Sequence, residues 1–472
     1  MRNTPVTSVA IIGGGFCGMM TAVQLCRQAT QPVNIIIINT GYPFSKGVAY
    51  NAHSYRYLLN VRAVNMSAFP DEQQHFLNWV CTHPKFCTNE KHLLADVYLP
   101  RKVYGEYLQH IWQETMTAKP AHVTITTIEG FATDITTTDG SYQIQLAGHE
   151  AVKADMVVLA TGNIQPKDVL ASYPSIASNN NYFANPWTEQ CIKDIAAGDN
   201  VLIVGNGLTM VDTVLGLLEN KCKGKIYTVS PNGFQIRSHK AAHPNYTAVL
   251  AELKLHEPIS LHRLFAVVHR HAKNLFELGL AAQPVMEMLR PYTQQIWQGL
   301  TLAEKKTFVR RLSHQWNTVR HRVPMHIHEL VQNLRIQNRL EVVKGRITNV
   351  EATGSTITVT LYNKQTKTEQ PITVGRIINC TGPASDIHNS ANSLLRTLAG
   401  KGMITADELR MGINAHPVTG AVINANGATN DTMFTLGGNL KGILWESTAV
   451  PELRKQAQAL AGVIVGKLTD VS

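Results

Sequence analysis

The sequence predicts an α/β fold with two parallel-sheet nucleotide-binding domains and a helical insertion, and three observations predict it. A buried strand runs into a glycine turn at Val9-Ala-Ile-Ile-Gly13-Gly14-Gly15-Phe-Cys-Gly18. The same pattern returns about 190 residues later at Val201-Leu-Ile-Val-Gly205-Asn206-Gly207-Leu-Thr209-Met210. A Thr-Gly turn closes an apolar strand twice, at Thr161-Gly162 and at Thr381-Gly382.

In the first turn each glycine has its own task. Gly13 makes the tight turn, Gly15 lets the backbone approach a pyrophosphate, and Gly18 lets the following helix pack on the sheet. The helix start then offers free N–H groups and a positive dipole end to phosphates. A second strand over Val33 to Ile38 completes the βαβ unit of a Rossmann-like domain. That strand usually ends in an acidic residue for the adenosine ribose. Asn39 stands there, and its amide oxygen is expected to accept the ribose hydroxyl without charge. One such turn cradles one dinucleotide, so two of them point to two nucleotides. The usual pair is a flavin and a nicotinamide, which makes a redox enzyme the first expectation.

The 472 residues suffice for two or three domains with full cores. Hydrophobic residues make up 44% and charged ones 16%, ordinary values for a globular chain. The formal charge of +10 suits anionic ligands such as dinucleotides, and without a compact Lys/Arg run it predicts no nucleic-acid partner. No apolar run approaches the roughly 20 residues of a membrane span. The N-terminal apolar stretch is the first strand, so no signal peptide is expected. Seven cysteines without a CxxC pair predict free, buried thiols and a cytoplasmic location. Of the nineteen histidines, ten lie between His239 and His328, but acidic or thiol partners at ligand spacing are lacking and no metal is expected. No Ser–His–Asp or paired-carboxylate pattern supports hydrolysis.

Along the chain, residues 1–190 read as the first part of one nucleotide domain, with a strand over Asp155 to Ala160 and a connector at Ala184-Asn-Pro-Trp187. Residues 191–345 read as the second domain, whose next strand is Ile226 to Ser230. Within it, 246–335 is a helical insertion: Leu261, Leu264, Phe265 and Val268 recur at helical spacing, as do Phe308, Leu312, Trp316 and Val319. Thr301-Leu-Ala-Glu304 is a capping box, and Pro324 is expected to close the helix that follows. Residues 346–472 complete the first domain, with a last helix from about Pro451 to Leu468. Arg320-His321-Arg322 ends a basic helix and has two readings, as a phosphate or acidic-substrate site or as a cap on its own helix.

Local signatures then come in a fixed order: Gly47-Val-Ala-Tyr50, Leu58-Leu-Asn60-Val61, Met66-Ser-Ala-Phe-Pro70, His75-Phe-Leu-Asn-Trp79 and Arg101-Lys-Val-Tyr104-Gly-Glu-Tyr107. Trp445-Glu446-Ser-Thr448-Ala-Val-Pro451-Glu-Leu-Arg454 closes the set. Together with the two nucleotide folds they resemble the two-dinucleotide-binding flavoproteins and, within them, the bacterial FAD–NAD(P)-binding family of E. coli YdhS-like proteins. More distantly the order is similar to N-hydroxylating flavin monooxygenases. Two departures stand out. The Baeyer–Villiger fingerprint is missing after Gly162, and Gly437-Gly-Asn439 replaces the usual late Gly-Asp pair.

The resemblance implies FAD and a nicotinamide as cofactors. It implies hydride transfer to flavin, then electron transfer to oxygen or another acceptor, with a small polar or amine substrate. A plain NAD(P)H:acceptor reductase and a non-catalytic redox-sensing module are the alternatives. Asn60 would lie near the flavin ring or bond to its own loop. Trp445, Glu446, Ser447 and Thr448 precede a helix start that can face the flavin pyrimidine edge, and Ser447 or Thr448 can cap that helix; both can hold at once. In the second domain Gly205, Gly207 and Thr209 form the nucleotide turn. Ser230 stands where NAD enzymes often place a carboxylate, so no charge repels a 2′-phosphate there. Arg237 is the candidate for that phosphate, with His239 and Lys240 nearby, which puts NADPH ahead of NADH; the alternative is that Arg237 and Lys240 are solvated loop charges. Catalytic residues and oligomeric state stay open at this level.

Overall fold

The computed structural model describes residues 6–177, 179–233, 236–239, 246–354 and 356–469. The chain divides into two compact units, one of residues up to Ile164 together with those from Ser385 onward, the other of Gln165–Ala384.

The sheet of the first unit runs in the order Ala421–Ile423, Thr429–Thr435, Met156–Leu159, Thr7–Ile12, Val33–Asn39, Val123–Glu129. Four of its five pairings are parallel. The central strands are apolar throughout because helices cover both faces of such a sheet. Val9, Ala10, Ile11, Ile35 and Val158 are fully buried. On one side lie the helices Phe16–Gln28 and Val450–Thr469, joined where Gln28 donates to the Gln458 carbonyl at 3.2 Å. Beside them the aromatic motifs of the sequence form a single core. Phe76, Tyr104 and Tyr107 are fully buried, with ring centroids 4.9 to 5.4 Å apart.

The sheet of the second unit runs Thr368–Val374, Thr356–Asn363, Leu340–Thr353, Ile226–Ser230, Val201–Val204, Arg376–Asn379, Tyr182–Phe183. Its nucleotide-domain strands are parallel, and a long antiparallel meander extends one edge. Seven α-helices from Ala248–Leu253 to Met325–Ile336 form the insertion, close to the 246–335 expected. Thr301 and Glu304 form the expected capping box at the start of Leu302–Thr307. Pro324 does not end the preceding helix, which stops at Arg320; it is the N-cap of Met325–Ile336.

Both domain boundaries move. The sequence placed them after 190 and 345, whereas the compact units meet at Ile164/Gln165 and Ala384/Ser385. Strand pairing is the reason. Tyr182–Phe183 adds to Arg376–Asn379, which itself pairs with Val201–Val204. The Arg376 guanidinium also donates to the carbonyls of Gln190 and Cys191 at 3.0 and 3.3 Å, tying residues before 191 to the second sheet.

Candidate functional site

In the first unit Gly13 has φ +113°, and a Cβ there would lie 2.2 Å from the Ala160 carbonyl oxygen. At Gly18 a Cβ would meet the Gly13 carbonyl oxygen at 1.8 Å, so the helix sits directly on the turn. Gly15 caps the helix Phe16–Gln28 and faces only the Gly47 Cα, 3.6 Å from where its Cβ would be. The backbone at Gly15 is therefore open to an approaching group.

Asn39 holds this turn in shape. Its Oδ1 accepts the Gly14 N–H at 3.1 Å and its Nδ2 donates to the Tyr42 carbonyl at 2.9 Å. One lone pair of Oδ1 remains for a ligand. Ser45, which sequence reasoning passed over, lies on the same loop. Its N–H donates to the Gly14 carbonyl at 2.8 Å, its φ is +70°, the residue is 1% exposed, and its hydroxyl has no hydrogen-bond partner among the described residues. A buried unpaired hydroxyl costs about 1–3 kcal/mol, so its presence beside a pyrophosphate cradle points to a ligand oxygen. Asn60 is half-buried and hydrogen-bonds to no described residue.

The late segment returns to this turn. A Cβ on Gly437 would lie 2.8 Å from the Cys17 sulfur, and burial pushes the Cys17 thiol up to about 12, so it stays protonated. Asn439, in place of the usual aspartate, is buried and points back into the fold: its Nδ2 lies 3.1 Å from the Leu159 carbonyl and 3.0 Å from the Thr161 hydroxyl. Gly162 adopts φ +71° next to it. Trp445 is buried, Glu446 takes φ +65°, and Thr448 is exposed. Ser447 is held within the fold: its hydroxyl donates to the Gly437 carbonyl at 2.8 Å and accepts from Gln456 Nε2 at 2.7 Å. Lys441, also missed by sequence, is half-buried, its ammonium makes no ion pair or hydrogen bond to a described residue, and burial holds its pKa below the ordinary lysine value.

The second unit repeats the design. Gly205 has φ +111°, and a Cβ there would lie 2.4 Å from the Cys380 carbonyl oxygen. Gly207 caps Leu208–Glu219, with Thr209 half-buried in its first turn. Asn206 is 3% exposed, and neither its amide oxygen nor its amide nitrogen has a partner among the described residues. Its sequence signal was only the variable middle of Gly-x-Gly. Ser230 accepts the Gly233 N–H at 3.1 Å. Arg237 is exposed on a two-stranded ribbon with Arg322–Val323, while Lys240 lies outside the described residues.

Arg322, the last residue of the basic tripeptide, turns inward. It is buried, donating from Nε to the Val319 carbonyl at 2.8 Å and from Nη1 to Gln283 at 2.8 Å. It caps the carboxyl end of its own helix, as the second of the two readings has it.

Each turn thus offers a glycine cradle, a helix start and one orphaned buried polar side chain, a donor set that fits a dinucleotide pyrophosphate. Residues 10–164 match a protein family described as FAD-NAD(P)-binding. No curated protein matches the chain. Solved structures do. Ornithine hydroxylase PvdA from Pseudomonas aeruginosa, in its reduced form, aligns with TM-score 0.65 at 13% identity, over 98% of this chain and 100% of that one. The FAD-bound cadaverine monooxygenase DfoA from Erwinia amylovora aligns with TM-score 0.66 at 11% identity, over 98% and 95%. Bacillithiol disulfide reductase Bdr (YpdA) from Staphylococcus aureus aligns with TM-score 0.55 at 12% identity, over 98% of each. The chain has the two-dinucleotide-binding flavoprotein fold that these proteins share.

Proposed function

We propose that this chain is an FAD-dependent oxidoreductase that takes hydride from NAD(P)H, NADPH ahead of NADH, and hydroxylates a small polar or amine substrate. One observation carries the reading. The same strand–glycine–helix turn is built twice, with Gly13 against Ala160 and Gly205 against Cys380, and each copy holds an unpaired buried polar group.

The first unit would hold FAD through Gly13, Gly15 and Gly18, with Asn39 and Ser45 beside the pyrophosphate arm. Asn60, Thr161, Gly162, Trp445, Glu446 and Thr448 would line the rest of the flavin. The second unit would hold the nicotinamide nucleotide on Gly205, Gly207 and Thr209, with Ser230 toward the adenosine end. Bound FAD supplies the acceptor for hydride and the route of electrons onward; the protein positions the ring and controls what reaches it. The likeness to an ornithine hydroxylase and a cadaverine monooxygenase supports oxygen as acceptor and an amine as substrate. The ordered motifs from Gly47 to Arg454 support grouping it with the YdhS-like proteins.

A reductase without oxygen insertion is the second reading, favoured by the shared fold of the bacillithiol disulfide reductase. The test is NADPH oxidation by the purified chain with ornithine, lysine and cadaverine under air, reading oxygen uptake and hydroxylamine product. Product in step with NADPH supports the monooxygenase. Oxidation that proceeds without oxygen, driven by quinones or disulfides, supports the reductase instead.

A further inference from the structure

At the carboxyl end of the second sheet, three residues fall in one row. Gly205 donates its N–H to the Val229 carbonyl at 2.8 Å, Val229 pairs with Val204 and Val343, and Ser230 pairs with Lys344. Adjacent strands lie about 4.8 Å apart, so Lys344 stands about 10 Å from the glycine turn, two strands over. A dinucleotide with its pyrophosphate on that turn extends its adenosine ribose over the end of the next strand. Here that is the end of Ile226–Ser230, toward Lys344.

The loop after Ser230 is fastened around this lysine. Gly233 has φ +57° and packs so closely that a Cβ would lie 2.7 Å from the Lys344 Cβ. Lys364 donates from Nζ to the Pro231 carbonyl at 3.1 Å and from its N–H to the Lys344 carbonyl at 2.8 Å. Ser230 accepts the Gly233 N–H, which leaves its own proton to donate outward. Lys344 is exposed, and its ammonium pairs with no described residue. The row therefore holds a free cation and a hydroxyl donor where an NAD site would hold a carboxylate.

Resting on the reading of the second unit as a nicotinamide-nucleotide site, we propose that Lys344 selects a 2′-phosphorylated nucleotide. Ser230 is the second donor, and Lys364 positions the loop. Arg237, on a separate ribbon, is the comparison.

Calorimetric titration of the full chain with adenosine 2′,5′-bisphosphate and with 5′-AMP tests this. The wild type should bind the bisphosphate more tightly. Lys344→Ala should lose about 10- to 100-fold of that affinity, the range of a charged hydrogen bond, and leave 5′-AMP binding and the melting temperature unchanged. Lys344→Arg should retain the preference, and so should Arg237→Ala. Equal binding of both probes by the wild type overturns the inference. So does a preference that survives in Lys344→Ala or disappears in Arg237→Ala. Binding of neither probe overturns the nucleotide reading of the second unit itself, and Lys344 with it.

Discussion

Arg454 reaches from the last helix to the carbonyl of Ser67, donating from Nη1 at 2.8 Å across 387 residues of sequence. Two motifs that stand far apart in the chain, Met66–Pro70 and Pro451–Arg454, are thereby one structural feature. The loop they share is braced from its other side, where Tyr107 accepts the Ala68 N–H at 3.2 Å and its hydroxyl lies 2.9 Å from His75 Nδ1. Burial lowers the His75 pKa, which keeps the ring neutral and able to accept the phenol proton.

Replacing Arg454 by Met should therefore destabilise the fold by about 1.5–3 kcal/mol, the worth of a charged hydrogen bond. Denaturant unfolding of the two proteins measures it. A variant as stable as wild type would show that the two motifs are not coupled through this bond.

Ser45→Ala should act with opposite signs on stability and on binding. The ligand-free protein should gain stability, since the buried, unpaired hydroxyl costs about 1–3 kcal/mol. FAD affinity should fall about tenfold, because the hydroxyl loses its ligand partner. Thermal melts of ligand-free protein and fluorescence titration with FAD read the two effects. A loss of stability with unchanged FAD affinity would show a purely structural serine.

Much of this was legible in sequence, and the limits have physical causes. The strands Val33–Asn39 and Ile226–Ser230 and the last helix lie within a residue or two of where periodicity put them. Both Thr-Gly turns fall close to the unit boundaries, three or fewer residues from Ile164 and Ala384. The boundaries drawn at 190 and 345 were misplaced because strand partners are set by tertiary pairing. Nothing local in Tyr182–Phe183 shows that it joins Arg376–Asn379. The glycine turns were readable because φ values near +110° exclude other residues. Ser45, Asn206, Lys344 and Lys441 were not, since their roles rest on burial or register, which no local pattern encodes. Asn439, which stands in place of the usual late aspartate, is a buried clamp on Leu159 and Thr161, a role that burial rather than local pattern sets.

Lys441 gives a pH dependence. Its folded-state pKa is below the ordinary value through burial, so the unfolded chain binds its proton more readily. Stability should therefore rise with pH from the lowered folded pKa up to the unfolded value of about 10.4. Lys441→Met removes the titration. The variant's advantage over wild type should be largest at low pH and vanish toward high pH. An advantage that is constant with pH would mean that packing, not charge burial, sets the cost.

The two turns should fail independently. Gly13→Ala and Gly205→Ala each place a Cβ within 2.4 Å of a carbonyl oxygen at a φ near +110°. Strain of about 1–3 kcal/mol plus that clash should disrupt the turn. Gly13→Ala should lose FAD and keep 5′-AMP binding, and Gly205→Ala should do the reverse. Loss of both ligands in either variant would contradict two separate sites.

The central claim is one flavin and one nicotinamide nucleotide per chain, and the most direct measurement is of the purified protein itself. Denature it, identify the released chromophore, and titrate the intact protein with NADPH under nitrogen while following its absorbance. The account predicts one FAD per chain, bleached by one equivalent of NADPH. Colourless protein that takes up no FAD from excess would contradict it.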